Sequence, residues 1–131
     1  MSEPQAHLLV ADDDERIRGL LQKFLIRNGF LVTTARDAAQ ARRLLAGLEF
    51  DMLILDVMMP GMDGPAMVRA IRAKLPHMPV LFMSGYAEEQ LRRDIDIPDM
   101  HFIAKPFSVA SIGDKVGAVL REARAAQATE A

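Results

Sequence analysis

Five short apolar runs, separated by segments of helical period, constrain this chain more than any other feature of its sequence. The runs are HLLVA (7–11), LVTTA (31–35), DMLIL (51–55), PVLFM (79–83) and HFIA (101–104). Three of them are apolar throughout instead of alternating, as strands covered on both faces must be. Between them, Ile17, Leu20, Leu21, Phe24 and Leu25 fall on one helical face, and the Asn28-Gly29 pair closes that helix. Ala41, Leu44, Leu45 and Leu48 repeat the pattern, with Gly47 near the end. Met67, Val68 and Ile71 mark a third helix, and Val109, Ile112, Val116 and Val119 a fifth. The fourth, around Ala87–Arg93, is short and weakly amphipathic. Five such repeats predict an α/β domain of three layers, with right-handed crossovers placing helices on both faces of a parallel sheet.

The length of 131 residues fits one domain with a sizeable core. We expect residues 1–5 to be an N-terminal extension, 6–124 the folded domain and 125–131 a flexible tail, since AAQATEA carries no apolar period. The chain has no cysteine, which excludes disulfides, zinc–thiolate sites and cysteine nucleophiles. A net charge of −2 argues against a nucleic-acid groove or an anionic membrane as a direct partner. The start, MSEPQAH, lacks a signal segment, and no apolar run approaches the ~20 residues of a membrane span. A cytoplasmic location is the expectation.

In an open parallel sheet, ligands sit beyond the carboxyl ends of the strands. The first strand ends in Asp12-Asp13-Asp14, the third in Asp56, the fourth in Ser84 and the fifth in Lys105. Clustered carboxylates do not stay ionised without a cation, and oxygen ligands with water suit Mg²⁺. Lys105 supplies a counter-charge. A divalent cation, an ammonium and a hydroxyl together form a clamp for a transferring phosphoryl group. Asp56, carried to the end of a buried strand, is the candidate nucleophile and metal ligand.

The segments VADDDER, ILDVMMPGMDG, FMSGYAEE and FIAKPF, in this order and spacing, resemble the receiver domain of two-component response regulators. The likeness runs from about residue 6 to 122. It implies a flavodoxin-like fold of strand order 2-1-3-4-5, in which Asp56 takes a phosphoryl group from a phosphohistidine on a sensor histidine kinase or histidine phosphotransfer protein. It further implies that Asp13 and Asp56 bind Mg²⁺ directly with the Met58 backbone carbonyl, that Asp12 helps through water, and that Ser84 and Lys105 contact the phosphoryl oxygens. The Lys105-Pro106 bond is expected to be cis. Phe102 occupies the position of the family's rotating aromatic switch residue, with Ser84 as its switch partner. Output to a downstream protein target is expected on the face of the fourth helix, fifth strand and fifth helix, from a monomer or weak dimer. Met58 and Tyr86 flank the approach of a hydrolytic water in the family pattern. The wording of several segments is similar to receivers of hybrid histidine kinases and of single-domain alphaproteobacterial cell-cycle regulators.

Each residue also has an ordinary reading. Asp12–Glu15 resembles a helix cap with acidic first turn, Gly61 and Gly64 serve a turn, and the methionines fill core gaps. His7, His77 and His101 lack ligand spacing and read as surface or strand-edge residues. Two other functions compete with the phosphoacceptor. An aspartate-nucleophile phosphatase needs a second carboxylate two residues after Asp56, where Met58 stands. A degenerate receiver serving only as a scaffold does not need the full acidic, Ser84 and Lys105 set. Nor does a helix-turn-helix segment or basic stripe follow the last motif.

Overall fold

The apolar runs become the strands of a single parallel sheet of order β2-β1-β3-β4-β5, seen in a computed structural model that describes residues 5–57, 59, 64–85 and 100–130. The strands are β1 (His7–Ala11), β2 (Leu31–Ala35), β3 (Met52–Asp56), β4 (Val80–Ser84) and β5 (Met100–Ala104). Among the described residues there are four helices: α1 (Glu15–Arg27), α2 (Ala38–Gly47), α3 (Gly64–Lys74) and α4 (Val109–Glu130). The helix expected around 87–93 lies outside the described residues. The expected architecture and strand order are those observed: a flavodoxin-like α/β sandwich.

The three central strands explain the unbroken apolar runs. Every residue of β3 and β4 is buried, as are Leu8 to Ala11 of β1. Their side chains alternate between two cores. Leu9, Leu53, Leu55 and Phe82 meet Ala41 of α2 and Met67, Val68 and Ile71 of α3. Leu8, Val10, Ile54 and Leu81 meet Leu21 and Leu25 of α1 and Ile112 and Val116 of α4. Each fully buried aliphatic side chain contributes about 1.5–3 kcal/mol by leaving water, so the two clusters supply most of the driving force. Six methionines, Met52, Met59, Met67, Met78, Met83 and Met100, are buried among them as gap-fillers. The edge strands β2 and β5 are only partly covered, matching their mixed sequences.

Helix α1 ends as Asn28-Gly29 predicts. The Gly29 amide donates to the Ile26 carbonyl and the Phe30 amide to the Leu25 carbonyl, a Schellman pair. Gly29 has φ +92°, a conformation that side chains resist. Its N-terminus is capped by Asp14, whose carboxylate accepts from the Arg16 and Ile17 amides. Asp14 thus stands just before the first turn, not within it.

Two expectations are corrected here. Leu20 is 55% exposed, because the buried stripe is centred on Leu21 and Leu25 and Leu20 sits roughly 120° round from their midpoint at 3.6 residues per turn. The third, fourth and fifth strands are displaced by one residue at one or both ends from the quoted runs, so Asp56 and Ser84 are the last residues of their strands and not the ones after. Helix α4 itself runs to Glu130. Alanine-rich sequence carries a helix beyond its last core contact by propensity alone.

Candidate functional site

Sheet register brings the polar residues together. Ala11 lies opposite Leu55 in the β1–β3 pair, so Asp12 and Asp56, the residues that follow, emerge side by side. Asp56 is opposite Met83, and Ser84 is opposite Ala104, which places Ser84 and Lys105 one step further along the same edge. Backbone hydrogen bonds pin the loops that leave it: the Val57 amide donates to the Met83 carbonyl at 3.0 Å and the Lys105 amide to the Ser84 carbonyl at 2.6 Å. The Lys105-Pro106 peptide is cis, as expected.

Asp12 is 0% exposed, Asp56 4% and Ser84 1%. Such burial is expensive for carboxylates unless a partner is present. The partner is Lys105, whose Nζ donates to Asp12 Oδ2 at 3.1 Å and Asp56 Oδ2 at 3.2 Å. Asp12 is engaged on every side. Its Oδ1 accepts from the Asp14 amide at 2.9 Å, its own amide donates to the Ala35 carbonyl at 3.1 Å, and its carbonyl accepts from Arg18 Nη1 at 2.9 Å. Burial pushes the Asp12 carboxyl above its ordinary range, against the lowering effect of the Asp14 amide and Lys105, with the Asp56 charge adding to the rise. Burial alone pulls Lys105 down. The hydrogen bond and charge of Asp12, joined by Asp56, outweigh it and hold the ammonium above its usual value.

Asp12, Asp13 and Asp56 each offer an oxygen, and these lie within 4.8 Å of one another. Mg²⁺ takes six oxygens at about 2.0–2.1 Å, so its ligand atoms stand roughly 3–4 Å apart. The limit of 4.8 Å on the cluster is compatible with that spacing. Asp13 is exposed and has no hydrogen-bond or ion-pair partner among the described residues, so its carboxylate is free to turn toward a cation. An all-oxygen set with one free carboxylate on the solvent side fits a hard, partly hydrated divalent cation.

The amino-acid pattern matches the family model for the response regulator receiver domain over residues 8–117. The chain belongs to the response regulator receiver domain family. Protein PetR of Rhodobacter capsulatus is 51% identical to this receiver over 122 residues, covering 92% of the chain and 51% of PetR. The transcriptional activator protein PfeR of Pseudomonas aeruginosa is 34% identical over 129 residues, covering 95% of the chain and 41% of its own length. The receiver therefore spans about half the length of the curated relatives it matches. In structure it is similar to the chemotaxis response regulator CheY4 of Vibrio cholerae, with a TM-score of 0.82 at 26% identity over 88% of this chain and 99% of that one. A receiver protein of Sinorhizobium medicae aligns with a TM-score of 0.82 at 28% identity over 93% and 99%.

One expectation changes in this light. The absence of direct nucleic-acid contact was argued from the receiver residues alone. Relatives about twice as long include proteins named as transcriptional regulators, so that expectation does not extend to a whole protein of that kind. Phe102, the expected switch position, is buried, with its ring centroid 6.0 Å from that of Phe82. Lacking a hydroxyl, it has nothing to keep in water. Met58 and Tyr86 lie outside the described residues. Sequence reasoning missed Arg18: no periodicity marks a side chain that folds back onto a carbonyl six residues earlier.

Proposed function

We propose that this receiver accepts a phosphoryl group on Asp56 from a phosphohistidine of a sensor histidine kinase or histidine phosphotransfer protein. The observation that supports it most directly is the bridging of Asp12 and Asp56 by Lys105 beside a third, unpaired carboxylate. An Asp56 carboxylate oxygen forms the bond to phosphorus as the nitrogen–phosphorus bond of the phosphohistidine breaks. The electron pair stays on the imidazole nitrogen, which takes up a proton. Lys105 is placed to turn from Asp56 to the arriving phosphoryl oxygens, and Ser84 to donate its hydroxyl. Mg²⁺ held by Asp12, Asp13 and Asp56, with the Met58 carbonyl, would neutralise charge on the transferring group. The chemistry is confined to the protein's own phosphorylation and its reversal.

Modification at Asp56 biases the equilibrium of a switching surface only if it acts on a two-state element. The proposed element is the face of the fourth helix, which lies outside the described residues, with β5 and α4, and Ser84 would be the moving hydroxyl. PfeR and GltR of Pseudomonas aeruginosa are named as a transcriptional activator and a transcriptional regulatory protein. On that likeness the output is control of transcription by a longer regulator carrying this receiver, in the cytoplasm. No described helix is long and apolar enough to cross a membrane.

Intact-mass measurement after incubation with acetyl phosphate and Mg²⁺ tests the acceptor role. The wild type gains one phosphoryl mass and Asp56→Asn gains none. Equal labelling of both disproves the assignment.

A further inference from the structure

Arg18 of α1 reaches back to the acidic edge in an unexpected way. With three aspartates close by, its guanidinium pairs with none of them. It donates instead through Nη1 to the backbone carbonyl of Asp12 at 2.9 Å, in a partly buried setting. A charge-assisted bond to a carbonyl fixes the plane of a peptide, and this peptide is the one joining Asp12 to Asp13. The contrast between these two residues gives the bond its meaning. Asp12 has both carboxylate oxygens engaged, by the Asp14 amide and by Lys105. Asp13 has neither engaged among the described residues, so its direction is set by its backbone alone.

We propose that Arg18 is a positioning residue for the metal centre: by clamping the Asp12 carbonyl it aims the Asp13 carboxylate at the cation. This rests on reading Asp12, Asp13 and Asp56 as a Mg²⁺ site. The same device explains the origin of α1. The Arg18 amide donates to the Asp14 carbonyl at 2.9 Å while its side chain holds the Asp12 carbonyl, so one residue ties both ends of the turn from strand to helix. Outer partners that orient a ligand commonly matter to metal affinity almost as much as the ligand.

A simple charge effect predicts the opposite sign. Removing a cation near a Mg²⁺ site strengthens Mg²⁺ binding by Coulomb attraction, whereas removing a positioning bond weakens it. Mg²⁺ titration of the full chain, followed calorimetrically, separates the two. Arg18→Met, which keeps the bulk and loses the donors, is expected to bind about tenfold more weakly. Arg18→Lys, which keeps a donor, is expected to fall between the two. In an Asp13→Asn background the Arg18→Met change should cost less than about twofold more, because the two residues act as one unit. Without metal, the Asp13 and Asp14 amide resonances should shift in Arg18→Met and return toward wild type in Arg18→Lys.

Unchanged or tighter Mg²⁺ binding by Arg18→Met, beside a wild type that binds, overturns the inference and leaves the metal site standing. A wild type that takes up no Mg²⁺ overturns the metal site and the inference together. Should Arg18→Met fail to fold, Arg18→Lys decides, and affinity equal to or above wild type overturns the proposal.

Discussion

Lys105 Nζ lies 3.2 Å from Asp56 Oδ2, so the ammonium at the end of the edge strand rests on the carboxylate at the end of the central one. It rests equally on Asp12. The same cation therefore stabilises the acidic cluster and competes with any metal for it. Lys105→Met is expected to tighten Mg²⁺ binding several-fold, roughly one kcal/mol of relieved competition at surface-like dielectric, while slowing phosphoacceptance at Asp56 by about tenfold or more as a charge-stabilising donor is lost. Calorimetric titration and intact-mass kinetics read the two effects separately. A joint loss of both would show that Lys105 acts by holding the fold.

Stability in Mg²⁺-free buffer should respond to pH through Asp12. Its carboxyl is held above the ordinary range chiefly by burial. The folded state therefore holds its proton more tightly than the unfolded chain. The associated stability is fully present below the unfolded pKa and is lost as pH rises through the folded one. Asp12→Asn should raise Tm at neutral pH, with the gain vanishing towards the pH at which free aspartate is protonated. A gain independent of pH would point to another cause.

Two glycines of the first helix should respond oppositely to alanine. Gly29 has φ +92° and closes the Schellman pair, so Gly29→Ala should destabilise by about 1–2 kcal/mol. Gly19 lies within α1 with no atom near where a Cβ would stand, so Gly19→Ala should stabilise by about 0.5–1 kcal/mol. Urea unfolding of both variants measures the difference, and effects of the same sign would contradict the backbone account.

At the other end of the sheet His7 acts as a polar staple. Its Nε2 lies 2.7 Å from Thr33 Oγ1, its Nδ1 lies 3.1 Å from the Glu49 carbonyl, and its ring packs 4.5 Å from Phe50. His7→Ala should cost about 1–2 kcal/mol in unfolding free energy. Mg²⁺ affinity, measured at the far strand ends, should stay as in the wild type. A large change there would mean that the two ends of the sheet are coupled.

Much of this architecture was legible because burial on two faces leaves an unmistakable trace. β1 and β2 coincide with the runs HLLVA and LVTTA, and Asp56 stood out as a charge where the pattern tolerates none. What escaped notice depends on contacts between parts of the chain that no period links. Arg18 reaches a carbonyl through a helical turn, and His7 reaches strand β2 and the loop before β3. Leu20 fitted the apolar stripe of α1 but lies off its centre, since five apolar residues on a helix do not say which of them faces the sheet.

The alternation of β3 between two apolar cores leaves a choice that hydrophobicity alone does not make. Leu53 and Leu55 serve one core, Met52 and Ile54 the other. A slip of one residue along the sheet would exchange aliphatic side chains of similar volume, at little cost in transfer free energy. Asp56 is not exchangeable in this way. Moved one step inward it would lose Lys105, meet the aliphatic interior and draw Val57 into the acidic pocket, and moved outward it would put Leu55 there. The buried carboxylate at the strand end is therefore also its alignment mark, keeping the central strand in the one frame where both cores and the chemistry agree.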